Sequence, residues 1–250
     1  MIKRLSYKMS DGLSKRLEKM AIGGKHLNDD SKHSEKVLNS AIDDIILPYA
    51  RDRFVGYSIT QIKSISLFEC QEFFYKSGGP KPNPENSNVS MRPDGGIMIA
   101  TKDGISIPFL IIEDKVQGTN DIRFLNKQDR QSTGNAIERA GKNIRCAEML
   151  FSGLDIFPYL LFASGCDLHH TETISKRIEQ MNYGVSNHYI NINESINTFD
   201  IDIKKRFGGK CIFSAFVKAH KYDEMPHGSS AWTKHEIARI CCKAIDQISL

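Results

Sequence analysis

The run PDGGIMIATKDGISIPFLIIEDK, from Pro93 to Lys115, decides how the chain folds. Apolar and β-branched residues fill Ile97 to Thr101 and Ile105 to Glu113. Between them stands Asp103-Gly104, a dipeptide that readily takes the positive φ angles of a two-residue hairpin turn. With Lys102 facing Ile105 across that turn, each outward step preserves the register, and Asp94 arrives directly opposite Glu113. Directly opposed residues share a face, with Cβ atoms about 5 Å apart, and Lys115 stands two residues beyond Glu113 on the same face. Two carboxylates and an amine therefore converge. Pro108 cannot donate to the ladder and marks an edge or a bulge; a bulge would shift the pairing by one and leave the carboxylates neighbours. Asp114, by alternation, points to the opposite face and is expected to be a solvated or strand-end carboxylate.

Like charges opposed on a strand pair destabilise it unless a cation sits between them. Two hard oxygen ligands completed by water and phosphate suit Mg²⁺. A solvated face with Glu113 and Lys115 as a surface pair accounts for the spacing equally well, and the hairpin alone leaves both readings open.

Working outward, Gly134 to Phe151 reads as a helix with an apolar face of Ile137, Ala140, Ile144, Ala147 and Phe151. A short buried strand follows at Phe157 to Ala163. A helix is expected over Thr173 to Met181, a strand over Cys211 to Val217, and a last helix from about Ser230 through Ile245, with Trp232 as an anchor at its start. Upstream, Val37, Leu38, Ala41, Ile42, Ile45 and Ile46 recur at helical spacing, and Pro48 is expected to end that helix. Ile62 to Phe74 reads as helical, and Gly78 to Ser90, with three prolines, as a surface loop. Residues 1–30 form a basic arm and residues 31–250 one α/β domain, a central mixed β-sheet flanked by helices.

Composition agrees. The 250 residues are 40% apolar, 26% charged and 9% aromatic, which fits a soluble globular chain and excludes collagen-like, low-complexity and disordered ones. At this length folding buries roughly 70 to 75% of the unfolded surface, so no disulfide or structural metal is needed. Cys70, Cys146, Cys166, Cys211, Cys241 and Cys242 form no CxxC pair and have no His at zinc-finger spacing, and are read as reduced thiols of a cytoplasmic protein. No run approaches the roughly 18 apolar residues of a membrane span, and Met1 to Met20 lacks a signal-peptide core. The net charge of +4 is modest. Yet residues 115 to 145 hold Lys115, Arg123, Lys127, Arg130, Arg139, Lys142 and Arg145 against Asp121, Asp129 and Glu138, which suits either an anionic partner or a solvated basic face. His235-Glu236 lacks the second His of a metalloprotease helix, and Gly95-Gly96 and Gly208-Gly209 lack nucleotide-loop spacing.

Asp94 followed by Glu113-Asp114-Lys115 in an apolar strand resembles the Asp…Glu-x-Lys signature of the PD-(D/E)xK nucleases. Downstream, Gly134-Asn135-Ala136-Ile137-Glu138-Arg139 with Lys142-Asn143-Ile144 resembles the recognition segment of the EcoRI group of type II restriction endonucleases. Gln117-Gly118, Phe157-Pro158-Tyr159 and Asn182-Tyr183-Gly184 extend the likeness, which covers about residues 92 to 184. The resemblance implies a restriction-endonuclease-like domain in which Asp94 and Glu113 ligate Mg²⁺ and Lys115 orients or helps deprotonate the attacking water. The partner it implies is double-stranded DNA cut at a short palindrome, with a cognate methyltransferase completing a restriction-modification system.

Within the recognition helix, about residues 134–151, Asn135 and Arg139 lie four apart on one face; Asn suits bidentate contact with adenine and Arg reaches purine acceptors. By resemblance Gly134, Ala136, Gln117 and Arg177 also meet DNA, Glu138 buttresses Arg139 or its counterpart in a homodimer, and Lys142 holds a phosphate. The expected site has an AATT core. Gln131-Ser132-Thr133 stands where the family carries Met and Ala residues, leaving the outer base pair open. Ile174 replaces a second arginine, and Gly141 should cost the helix about 1 kcal/mol against Ala. A repair or structure-specific nuclease of the same fold, and a DNA-binding module with an inactive nuclease face, are the rival readings.

Overall fold

Asp103 at φ 52° and Gly104 at φ 78° close the hairpin at the expected dipeptide. The computed structural model describes residues 25–116, 127, 143, 146–152, 157–164, 191–193, 214–218 and 232–250. Along the chain, the described strands are β1 (Ser58–Ile62), β2 (Ile65–Ser66), β3 (Ser90–Met91), β4 (Ile97–Lys102), β5 (Ile105–Val116), β6 (Tyr159–Ser164), β7 (Asn191–Asn193) and β8 (Ser214–Lys218). The described helices are α1 (Lys25–Ala41), α2 (Leu47–Arg53), α3 (Leu67–Lys76) and α4 (Lys234–Asp246).

Six strands form one mixed sheet in the order β1-β4-β5-β6-β8-β7, and β2 and β3 pair separately. The β1, β4 and β5 strands run antiparallel to their neighbours, whereas β5, β6, β8 and β7 are parallel. Parallel neighbours need a crossover, and between β5 and β6 residue 143 and residues 146–150 are helical. The α/β architecture expected from the sequence is thus present. In β5, residues 108–114 are all buried, because β4 flanks the strand up to Ile111, β6 flanks it from Ile111 on and α1 packs on it. α1 packs on β5 and on α4, while α2 meets β1 and α4.

The hairpin register holds from Lys102↔Ile105 to Ile99↔Pro108, then slips, so that Met98 faces Leu110 and Ile97 faces Ile111. Phe109 is the extra residue of the bulge. Its ring packs edge-on against Phe54 at 5.2 Å. The slip corrects the expected pairing: continuing the ladder would bring Asp94 level with Asp114, not Glu113.

Pro48 does not end the first helix. It stands in the first turn of α2, and α1 joins α2 through a π turn, Ile42–Ile46, in which the Leu47 N–H donates to the Ile42 carbonyl. The wider turn absorbs the N–H that proline lacks, so the chain stays helical to Arg53. The helical reading of Ile62 to Phe74 is also too long. Residues 65–66 are strand, and α3 starts only where Ser66 and Glu69 close a capping box. The expected loop at Gly78 to Ser90 contains a short 3₁₀ turn, Pro84–Asn88.

At the C-terminus Thr233 and Glu236 cap α4, which explains the Glu beside His235. Trp232 does act as an anchor: it is buried, donates Nε1–H to the Ala163 carbonyl at 3.0 Å and meets Phe162 edge-on. Cys70 and Cys241 are buried and Cys146 and Cys242 partly so, all as free thiols; Cys166 and Cys211 lie outside the described residues. The helix expected over Thr173 to Met181 also lies outside them. Among the described residues no helix is long and apolar enough to cross a membrane.

Candidate active site

Asp94 sits in a tight turn, Pro93 to Gly96, pressed against two strands. The Gly96 N–H returns to the Pro93 carbonyl at 3.0 Å, the Gly95 N–H donates to the Ile112 carbonyl at 2.9 Å, and Gln61 Nε2 donates to the Gly95 carbonyl at 2.7 Å. Both glycines are required. A Cβ at Gly95 would lie 2.8 Å from Ile112 Cβ and 2.9 Å from its carbonyl oxygen; Gly96 has φ 76° and a Cβ there would meet the Ile62 carbonyl at 2.6 Å. This turn swings Asp94 back over the end of β5 although the ladder does not pair it with Glu113.

There Lys115 Nζ donates to Asp94 Oδ2 and lies 2.6 Å from Glu113 Oε1. Asp94, Glu113 and Lys115 are thus brought together as the sequence proposed, through a turn instead of a direct cross-strand pair. Their exposures differ: the Glu113 side chain is 1% exposed, Lys115 17% and Asp94 42%, so the cluster opens to solvent on the Asp94 side. Burial alone would push the Lys115 pKa down, but Glu113 and Asp94 outweigh it and hold the amine above its ordinary value. The amine stays charged.

Two further donors fix Glu113. The Tyr159 hydroxyl, fully buried on β6, and Asn143 Nδ2, at 2.8 Å, both donate to Oε2. Burial, then the negative Glu113 beside it, raises the Tyr159 pKa well above a phenol's usual value, so its proton remains in that bond. The sequence carries both residues within the family likeness, but nothing in it assigns either a role at Glu113. A phenol inside the apolar run FPYLLFA was the available signal, because a buried hydroxyl demands a partner.

Asp114 points to the other face, as alternation requires, but it is buried, which corrects its reading as a solvated carboxylate. Ser34 of α1 donates to Oδ2, and Oδ1 has no partner among the described residues. Burial raises its pKa to about 6, against the lowering effect of the Ser34 bond.

The donor set can be tested against a divalent ion. Asp94 Oδ2 and Glu113 Oε1 both reach a single ammonium, so two hard carboxylate oxygens already converge on one cationic centre. No cluster of three or more His, Cys, Asp or Glu fit to hold a metal occurs among the described residues. Two carboxylates with an open side suit an ion that keeps most of its waters, as Mg²⁺ does.

A family model described as Restriction endonuclease EcoRI matches residues 24–250. The chain belongs to the EcoRI restriction endonuclease family. The Type II restriction enzyme EcoRI of Escherichia coli is 39% identical over 98 residues, which cover 36% of this chain and 35% of that protein. The match thus spans about a third of the relative's length. Family membership agrees with the mixed sheet and with the cluster at the end of β5. The other residues singled out from the sequence, Gln117, Gly134, Asn135, Ala136, Glu138, Arg139, Lys142 and Arg177, lie outside the described residues.

Proposed function

We propose that this EcoRI-family protein is a type II site-specific endodeoxyribonuclease that hydrolyses phosphodiester bonds of double-stranded DNA at a short palindrome with an AATT core. The observation that carries the reading is the convergence of Asp94 and Glu113 on the Lys115 ammonium, at the open end of β5, in a chain of this family. Asp94 and Glu113 would hold Mg²⁺, with Glu113 fixed by Tyr159 and Asn143 and Asp94 by its glycine turn. Bound there, the ion would neutralise charge on the phosphate and acidify a water. Lys115 does the rest of the work at the reacting atoms: its ammonium orients the attacking water beside the two carboxylates and stabilises negative charge developing on the phosphate oxygens. Asn135 and Arg139 would read base edges, supported by Gly134, Ala136, Glu138, Gln117 and Arg177, while Lys142 holds a phosphate.

A site that reads alike on both strands calls for two active centres, so the protein would act as a two-fold homodimer. Residues near Gly134 to Phe151 would supply part of that interface, and the basic residues before Asp30 would close over the duplex. A methyltransferase protecting the same site would complete a restriction-modification system in the cytoplasm.

The test is plasmid cleavage with the purified chain. Discrete fragments are expected in Mg²⁺ and none in a chelator. Asp94→Ala, Glu113→Ala and Lys115→Ala should each lose about 100- to 1000-fold in cleavage, of the order seen when one charge-stabilising group is removed, with site binding in Ca²⁺ retained. Undiminished cutting by Asp94→Ala overturns the assignment.

A further inference from the structure

We propose that Cys70 and Cys146 form a thiol pair that a hydroperoxide converts to a reversible disulfide, Cys146 taking the oxygen and Cys70 displacing it. The inference needs only these two side chains and does not rest on the nuclease reading. Cys70 stands on α3 and is 0% exposed, while Cys146 belongs to the helical stretch 146–150 and is half-buried against the same core. The two thiols, far apart in sequence, hydrogen-bond to each other. Sulfur already meets sulfur, and a disulfide of about 2 Å draws the pair closer still. α3 can follow: it packs chiefly on β2 and the 3₁₀ turn, and β2 and β3 pair outside the six-stranded sheet, so its approach parts no strand of that sheet.

The pair divides its roles. The bond to Cys146, then burial, pushes the Cys70 thiol above its ordinary pKa, so Cys70 keeps its proton and donates it. The same bond lowers the Cys146 pKa against the opposing effect of burial, so Cys146 is the sulfur that ionises, and it is the one that meets solvent. Cys241 and Cys242 lack this arrangement. They are consecutive on α4, where neighbours do not face each other. Burial raises the Cys241 thiol well above its usual value, and burial, then the negative Asp246, pushes Cys242 up to about 11. In the reaction the Cys146 thiolate attacks one oxygen of the hydroperoxide and the O–O bond breaks. The other oxygen leaves with the proton that Cys146 released, and a sulfenic acid remains. The Cys70 sulfur then attacks the Cys146 sulfur; the S–S bond forms as the S–O bond breaks, and the hydroxyl departs as water with the Cys70 proton. Two thiols give up two electrons and the hydroperoxide takes them. A dithiol reductant reverses the bond by exchange. The chain between the two cysteines carries Asp94, Glu113 and Lys115, so the disulfide ties together the two ends of the segment that holds that cluster.

The test is thiol mapping by mass spectrometry on the full chain. At about pH 8 iodoacetamide should label Cys146 roughly 10-fold faster than Cys242, because far less of Cys242 is thiolate there, an advantage only partly offset by the weaker nucleophilicity of the more acidic sulfur. A small excess of hydrogen peroxide should then give one cross-linked peptide pair, Cys70 with Cys146, which dithiothreitol removes, while Cys241 and Cys242 stay alkylatable once the chain is unfolded. Cys146→Ala should abolish the cross-link. Cys70→Ala, which leaves a small apolar side chain in the core, should arrest Cys146 as a sulfenic acid that dimedone captures. The parent chain alone decides the matter, without any variant that has to fold: if Cys70 and Cys146 both stay free after peroxide, if Cys146 cross-links to a different cysteine, or if it is labelled no faster than Cys242, the proposal is overturned.

Discussion

Gly95→Ala tests whether the glycine turn is what brings Asp94 to β5. The added methyl would sit 2.8 Å from Ile112 Cβ and 2.9 Å from its carbonyl, against a strand that cannot retreat because β6 backs it. Overpacking of this kind costs about 1 to 3 kcal/mol. The Gly95 N–H bond to the Ile112 carbonyl, 2.9 Å, is lost or stretched as the turn lifts, for about a further 0.5 to 1.5 kcal/mol. The total is about 2 to 4 kcal/mol, or a fall of roughly 1 M in urea midpoint at a slope of about 3 kcal/mol/M. Without denaturant the variant remains folded, so its cleavage rate reports geometry and not unfolding. Misplacing Asp94 by about 1 Å should slow cutting about 100-fold. Gly104→Ala provides the comparison. A Cβ there meets nothing within 4 Å, so only the positive φ is penalised, by about 1 to 2 kcal/mol, and cleavage should be unchanged. Parent-like midpoint and rate for Gly95→Ala would refute the reasoning.

Ser34→Ala removes the described donor to buried Asp114 and should lower stability at pH 8 by about 1 to 3 kcal/mol; an unchanged urea midpoint would mean that bond contributes nothing. For recognition, Arg139→Ala should cost about 1 to 3 kcal/mol on the proper site and little on random DNA, while Lys142→Ala should weaken all duplexes alike and flatten the salt slope by about one. Equal losses on both duplexes for Arg139→Ala would contradict base reading.

The hairpin was legible because Asp103-Gly104 is a local signal, and the cluster was legible because alternation puts Glu113 and Lys115 on one face. What the sequence could not supply was long-range. Pro108 hinted at a bulge, but the extra residue is Phe109, fixed by the ring of Phe54, which lies far away in sequence. The slip would have parted Asp94 from Glu113; the glycines that restore the contact do so by fitting against Ile112 and Ile62, neighbours known only once the sheet exists. Alternation gives the direction of Asp114 but not the cover that α1 lays over it through Ser34. Pro48 signals a helix stop locally, whereas the π turn that carries the helix past it has no local signature of comparable strength. Tyr159 and Asn143 carry the family likeness, but their contact with Glu113 is long-range like that of Phe54 with Phe109: it depends on where Glu113 ends up.

The bulge at Phe109 also divides β5 into two lengths with separate duties. On one side the strand pairs with β6 and carries Glu113 and Lys115; on the other it runs out to a tip where Ile105 is exposed and the space around Gly104 is open. The register slip lies between that tip and Glu113. The hairpin end is thus a handle: a tether, dye or inserted peptide grafted at Asp103-Gly104 would sit at the opposite end of the strand from Glu113 and Lys115.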